Sequence, residues 1–389
     1  MNRITPEDVG RRVSVRRRLN PEGAPDEFGD VVGELVAWDG GVLTITRKDG
    51  SIARVAERTV TAAKVVPPVP VRGPAALSPE VLAAASDRAW PAVEYAELGQ
   101  WRLRAASGFT RRANSVLALG GPGVPAAEAV ARVRAWYAER GLPVYFQTVV
   151  GSDTDLLLAA EGWPSEAPTI VRTARLAAVR DRATPTAAGR STAGDVAVDV
   201  SDVPDAAWMA RYNRAAASGP AAEAAWAVVA GTAGGESAAG PASGGPGTGT
   251  VRHAFAAVHA ADLGPGPETD PGPETDPGPE TDPGPRSADA SRISDIPIAI
   301  GRVSVDLGGT RGPGGAGLRV ASFTAIETDP AYRRRGLARA VMAALTDHAL
   351  RAGATTGLLG VEAGNRPALR LYEDLGFTEH HRYHYRREP

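Results

Sequence analysis

The sequence predicts an α+β protein: a small β-barrel in front, then two α/β halves, each built on a mixed central sheet. Three observations carry this. Residues 5–66 hold only short β-branched runs separated by turn signals. From residue 79 onward, segments of helical period alternate with strand-like ones. The two α/β stretches also end alike: helix, Gly, strand, then a helix closed by Gly and an aromatic, Gly162-Trp163 in one and Gly376-Phe377 in the other. An internal repeat of one fold reads this way.

In the barrel, set at 1–68, the runs are 9–18, 30–39, 41–50 and 51–58. Asn20-Pro21, Asp39-Gly40-Gly41 and Asp49-Gly50 separate them; Asp-Gly pairs supply the positive φ of tight hairpins. Trp38 is assigned to the barrel core. Residues 69–78 are a Pro-rich linker. The first half, 79–190, reads helix 79–90, strands 101–107 and 112–120, helix 125–141, strand 143–150, helix 154–163 and strand 168–179. Ala127, Val130, Val133 and Tyr137 recur with a helical period and are expected on its core face.

The second half, 195–389, reads strand 196–200, helices 204–216 and 220–230, and strands 251–260, 295–305 and 318–327. A long amphipathic helix 336–353, strand 356–363, helix 365–376 and strand 377–387 follow. Two insertions interrupt it, at about 231–250 and 263–292. The second repeats Pro-Gly-Pro-Glu-Thr-Asp three times from Pro265 to Asp282. Such composition buries too little apolar surface to order itself, so both are expected to be disordered.

Composition removes several function classes. The chain has 389 residues and no cysteine, which excludes disulfides, thiolate metal sites and a cysteine acyl-enzyme. A net charge of −2 argues against a whole-chain polyanion binder. Arg16, Arg17 and Arg18 form a basic run, but residues 1–64 hold eleven basic and ten acidic side chains, so a solvated strand end is expected and nucleic acid is not expected as a partner. No apolar run is long enough for a membrane span, and the start lacks an apolar signal region. A cytoplasmic protein is expected. His380, His381 and His384 cluster in the last strand, but only His380 and His384 share a face, so no metal site is assigned.

The chemistry concentrates after strand 318–327. Asp329 and Pro330 end the strand; Arg333, Arg334, Arg335 and Gly336 then feed the long helix through Leu337, Ala338 and Arg339. A loop opening a helix this way aims backbone N–H groups and the positive helix end at one point, suited to a pyrophosphate. Taken alone, the loop also reads as a solvated basic turn. One strand later Asn365, a good N-cap, stands seven residues before Tyr372, on roughly the same helix face.

Together these motifs resemble the GNAT superfamily of acetyl-CoA-dependent N-acetyltransferases. Arg333, Gly336 and Ala338 match its Arg-x-x-Gly-x-Gly/Ala loop. Asn365, Ala368, Tyr372, Leu375, Gly376 and Phe377 match its Asn-x-x-Ala-x-x-x-Tyr and Leu-Gly-Phe signature. The match covers about 295–389 strongly and 195–295 loosely. The layout also resembles tandem-GNAT proteins of an actinobacterial type with an N-terminal SH3-like barrel, often labelled histone-acetyltransferase-like. The resemblance implies that Ile326, Glu327 and Thr328 flank the pantetheine arm, that residues from Arg333 through Arg339 hold the pyrophosphate, and that Asn365 touches the cofactor arm. It further implies direct acetyl transfer in a ternary complex, with Tyr372 as general acid to the thiolate at a phenol pKa of about 10. Glu327 is a candidate general base or an ordinary strand carboxylate; strand alternation sets it opposite Ile326 and Thr328. The first half lacks this equipment, since Leu158 stands where Tyr372 would and its loop is Gly120-Gly121-Pro122-Gly123. It is read as a degenerate GNAT-like half. The expected acceptor is a primary amine, such as a protein lysine, a protein N-terminus or a small amine. A non-catalytic acetyl-CoA sensor or adaptor and a tandem-GNAT synthase of a small amine or thiol metabolite are the alternatives.

Overall fold

The computed structural model describes residues 4–19, 28–47, 51–66, 77–183, 196–212, 218–232, 251–263, 296–308, 310–311 and 317–389. The turns at Asn20-Pro21 and Asp49-Gly50, most of the linker 69–78 and nearly all of both insertions lie outside the described residues. The described chain forms two compact units.

The first unit is a five-stranded antiparallel sheet: β1 (Arg12–Arg18), β2 (Phe28–Asp39), β3 (Val42–Arg47), β4 (Ile52–Ala56) and β5 (Val60–Val65), in the order β4-β3-β2-β1-β5. Alternate residues point inward, as a two-residue period demands. Val13, Val15, Leu35, Leu43, Ile45 and Val55 are wholly buried. Gly40 and Gly41, both at positive φ, make the two-residue turn between β2 and β3. Trp38 is only partly buried; its indole donates to Glu57. Strand β5 was not expected from the sequence.

The second unit begins with α1 (Pro79–Ala89), β6 (Glu94–Leu98), β7 (Trp101–Ala105), β8 (Val116–Ala118), α2 (Ala126–Ala138), β9 (Tyr145–Val149), α3 (Asp153–Ala160), β10 (Ser165–Arg175) and α4 (Leu176–Ala183). It continues with β11 (Asp199–Ser201), α5 (Ala206–Arg211), α6 (Pro220–Ala230), β12 (Val251–Val258), β13 (Ala299–Asp306), β14 (Thr310–Arg311), β15 (Gly317–Leu318) and β16 (Val320–Thr328). The last elements are α7 (Leu337–Arg351), β17 (Thr356–Glu362), α8 (Arg366–Asp374) and β18 (Thr378–Arg387). Three details differ from the sequence reading. Strand β6 was missed, because its two glutamates mask the alternation. Residues 176–179 turn into α4 instead of extending β10. Helix α2 buries Ala129, Val130, Val133 and Tyr137, and leaves Ala127 exposed.

All the long strands join one mixed eleven-stranded sheet, ordered β11-β12-β13-β16-β17-β10-β18-β9-β8-β7-β6. The halves exchange strands at its centre: β10, from the first half, lies antiparallel between β17 and β18, and β18 in turn pairs with β9. Both halves nevertheless repeat one local design. In α3, the Gly162 amide bonds the Ala159 carbonyl and the Trp163 amide bonds the Leu158 carbonyl; in α8, Gly376 bonds Glu373 and Phe377 bonds Tyr372 in the same way. Each is a Schellman ending with glycine at positive φ.

Helix α7 packs Val341, Met342, Leu345 and Ala349 over Val303, Val305, Ala321 and Phe323. Each large side chain buried this way contributes about 2 kcal/mol. The first half has its own core, in which Trp101, Phe146 and Trp163 meet edge to face at 5.0 and 5.6 Å. Several charged side chains inside the unit are paired: Arg104 with Asp87 at 2.9 Å, and Arg88 with Asp306 at 2.7 Å. Asp155 receives His384, the Arg386 Nε at 2.7 Å and the Gly151 amide at 2.8 Å. No helix among the described residues is long and apolar enough to cross a membrane.

Candidate functional site

Strands β16 and β17 run parallel and pair only from Val320–Thr356 to Ser322–Leu358. Beyond that they diverge. The cause is local. The β13–β16 register slips between Ile300 and Arg302, and Ala325 adopts a φ of 53°, which bends β16 away, as a bulge does. Among the described residues, the edge of β16 facing the gap therefore has no strand partner past Ser322. This bend also corrects the alternation expected around Glu327: Ile326, Glu327 and Thr328 are all half-buried, and all three line the cleft.

The loop that follows is held by its own side chains. Asp329 caps the single turn Pro330–Tyr332 by accepting from the Ala331 amide at 2.9 Å. Arg334 and Gly336 take positive φ, 65° and 80°, and the chain enters α7 with no side chain capping its first amides. An uncapped helix start leaves N–H donors and the positive dipole end open to an anion. At the other wall, Asn365 caps α8 by accepting from the Ala368 amide at 3.2 Å.

One open cleft of about 2580 Å³ gathers these parts. Of the residues singled out in the sequence, Ile326, Glu327, Thr328, Arg333, Arg334, Gly336, Leu337, Ala338, Arg339, Asn365 and Tyr372 line it. Arg335 does not: its guanidinium turns away over the Tyr332 ring, 5.2 Å from the centroid. Arg339 reaches the Arg182 carbonyl at 2.8 Å, at the end of α4. Sequence reasoning missed Arg211, whose guanidinium pairs with Asp329 at 2.8 Å and bonds the Pro297 carbonyl at 2.7 Å. It braces the loop from outside the motif, and no local pattern announces it.

Tyr372 sits between this cleft and an adjoining pocket of about 1510 Å³, which shares Ile326, Glu327, Asn365 and Ala368 with it. Its ring leans on Phe377, centroids 6.0 Å apart. Burial alone pushes its hydroxyl up to about 12, above the ordinary phenol value assumed from sequence, so it stays protonated throughout the neutral range. The adjoining pocket also holds Arg112, Thr169, Tyr212, Tyr383 and Tyr385, none of which the sequence singled out. Of the histidines, His384 bonds Asp155, and the His380 and His381 rings contact each other at 2.9 Å. Among the described residues no three His, Asp or Glu side chains are placed to hold a metal ion.

The cleft suits an elongated thioester with a pyrophosphate: donors at the α7 end, an unpaired strand edge along the middle, and a hydroxyl at the far end.

Comparison with known proteins gives three matches along the chain, the middle one running across the boundary set at 190–195 between the two halves. Residues 7–64 match the Rv0428c N-terminal Sm-like domain, so the barrel expected to be SH3-like is matched as Sm-like. Residues 80–261 match the C-terminal domain of the probable histone acetyltransferase Rv0428c, and 297–377 the acetyltransferase (GNAT) family. The probable histone acetyltransferase Rv0428c of Mycobacterium tuberculosis is 38% identical over 135 residues, 34% of this chain and 42% of that protein. The ribosomal protein bS18-alanine N-acetyltransferase of Escherichia coli is 46% identical over 54 residues, 14% of this chain and 36% of its own. The matches thus span less than half the length of these curated relatives. A solved GCN5-related N-acetyltransferase from Kribbella flavida aligns over 82% of this chain and 97% of its own at 14% identity, with a TM-score of 0.46. Residues 297–377, which carry the Arg333–Gly336 loop and the Asn365–Tyr372 helix, thus form a GNAT acetyltransferase domain, preceded by segments similar to the N-terminal and C-terminal domains of Rv0428c.

Proposed function

We propose that the protein is an acetyl-CoA-dependent N-acetyltransferase that moves the acetyl group to a primary amine by direct attack. The observation that carries this reading is the single cleft joining the uncapped start of α7 to Tyr372 along the split between β16 and β17.

In that cleft, the Leu337, Ala338 and Arg339 amides, with Arg333 and Arg334, bind the pyrophosphate. The unpaired edge of β16 pairs with the pantetheine arm, and one of its amides stabilises the thioester oxygen as charge builds there. Glu327 accepts the proton of the attacking amine. The new C–N bond forms as the C–S bond breaks, and Tyr372 gives its proton to the departing sulfur. A neutral, buried phenol is in the correct protonation state for that role. Leu158 at the equivalent place in the first half has no proton to give, and Pro125, with no side-chain cap, opens α2 behind a loop without arginine. This supports one active half and one structural half.

The test is calorimetric titration with acetyl-CoA of the wild type and of the double variant Arg333→Ala, Gly336→Glu. Binding by the first and loss in the second, with the fold intact, is expected. A folded wild type that does not bind acetyl-CoA overturns the assignment. Thiol release across a panel of amines then reports transfer.

A further inference from the structure

The pocket beyond Tyr372 contains charge that the reaction above does not use. Arg112, from the loop between β7 and β8, lines it. Its guanidinium lies 3.7 Å from where a β-carbon on Gly360 would stand, beside the Tyr383 hydroxyl, also at 3.7 Å, and the Thr169 methyl at 3.4 Å. Burial works against its charge, but the Tyr383 and Tyr385 oxygens more than offset that and keep it protonated. No Asp or Glu pairs with it among the described residues.

A second guanidinium lies nearby. Arg302 is wholly buried, donates to the Ala89 carbonyl at 2.6 Å and faces the His253 Nδ1 at 3.1 Å; its Nε has no partner. Burial and Arg302 push His253 down to about 3, so that ring is neutral and adds no charge. Arg112 and Arg302 both approach the Trp90 ring, at 5.8 and 5.2 Å. Of the two, only the half-buried Arg112 lines the pocket; a guanidinium there without a carboxylate is favourable beside an anion.

The other end of the pocket has the opposite sign. Glu327 and Glu362 line it. Glu362 follows Gly360 by two residues on the same face of β17, about 7 Å along the strand. The pocket is therefore dipolar: acidic toward Asn365 and Tyr372, basic beside Gly360.

We propose that the acceptor is a small amine that also carries a carboxylate, its nitrogen held at the Glu327 end and its carboxylate read by Arg112. This rests on the acetyltransferase function above and names its substrate class. A lysine side chain offered by a protein has an ammonium but no carboxylate at that distance, and would leave Arg112 unmatched.

The test is binding, so that it does not depend on turnover. Protein saturated with CoA is titrated with 4-aminobutyrate, 5-aminovalerate and 6-aminohexanoate, and in parallel with butylamine, pentylamine and hexylamine. At least one amino acid is expected to bind about tenfold more tightly than its matched amine, and Arg112→Gln is expected to erase that ratio. No preference in the wild type, no binding at all, or a preference that survives in Arg112→Gln overturns the proposal. Should Arg112→Gln fail to fold, Gly360→Ala decides: its methyl group stands 3.7 Å from the guanidinium, in the carboxylate's place, and must weaken the amino acid more than the plain amine. Acetyl-CoA binding, measured on the same samples, separates the two failures. Its loss in wild type sinks the function; its presence without a carboxylate preference sinks only the substrate class.

Discussion

Replacing Tyr372 with Phe removes one oxygen from the point where the cleft and the adjoining pocket meet. The ring keeps its packing on Phe377, and the Tyr372 carbonyl keeps the Phe377 amide at 2.8 Å. Stability should therefore change by no more than about 0.5 kcal/mol. Catalysis should not be spared. A positioned general acid contributes on the order of 10²- to 10⁴-fold, so kcat should fall by that factor, or about 3–5 kcal/mol of barrier. Acetyl-CoA affinity should hold, since the anion-binding end of the cleft is untouched. Thiol release measured against pH supplies a second check. Burial lifts the hydroxyl to about 12, so the acid stays protonated below that value, and the wild-type rate should show no loss from this group up to about pH 10. Retention of kcat within about threefold in Tyr372→Phe, or a loss matched by a fall in melting temperature, would refute the acid role.

Three further outcomes follow from the geometry. Gly336→Glu sets a carboxylate at the uncapped start of α7, at a φ of 80° that favours glycine; acetyl-CoA affinity by calorimetry should fall by about tenfold or more. Asp155→Asn leaves Arg386 buried without its carboxylate and should cost about 3 kcal/mol in denaturant unfolding. Burial tends to raise the Asp155 carboxyl, but the Gly151 amide, Arg386 and His384 outweigh it and hold it below the ordinary value. Its contribution is thus present above about pH 4 and lost as pH falls through the depressed value, so the wild-type advantage over Asp155→Asn should shrink in acid. Gly357→Ala puts a β-carbon 3.0 Å from Leu176 and 3.1 Å from Phe377; overpacking there should cost about 1–3 kcal/mol, read from the denaturant midpoint.

The parts of the site that were legible in the sequence are those coded locally. A cap, a glycine at positive φ and an arginine loop each depend on a few neighbouring residues, so Asn365, Gly336 and Arg333 announce themselves. The repeated ends at Gly162-Trp163 and Gly376-Phe377 were readable for the same reason. What escaped depends on partners far along the chain. Arg211 acts through Asp329, and Arg112 enters the pocket beyond Tyr372 where β18 and β17 bring Tyr383 and Gly360 to it. The bend at Ala325, which defeated simple alternation around Glu327, arises from a register slip against β13 that nothing in residues 320–328 encodes. Helix α4 was hidden because Leu176 to Val179 is apolar in either conformation.

The interposed strand β10 has a consequence for any attempt to divide the protein. Its backbone satisfies β17 on one side and β18 on the other. A fragment beginning after residue 190 would carry the Arg333–Arg339 loop, the capping asparagine and the tyrosine, yet would leave one edge of β17 and both edges of β18 unpaired, the configuration that recruits foreign chains. The catalytic half is accordingly not a separable module. The two halves should melt in a single transition and exchange their central amides at one common rate, and a split protein should regain activity only when both pieces are mixed.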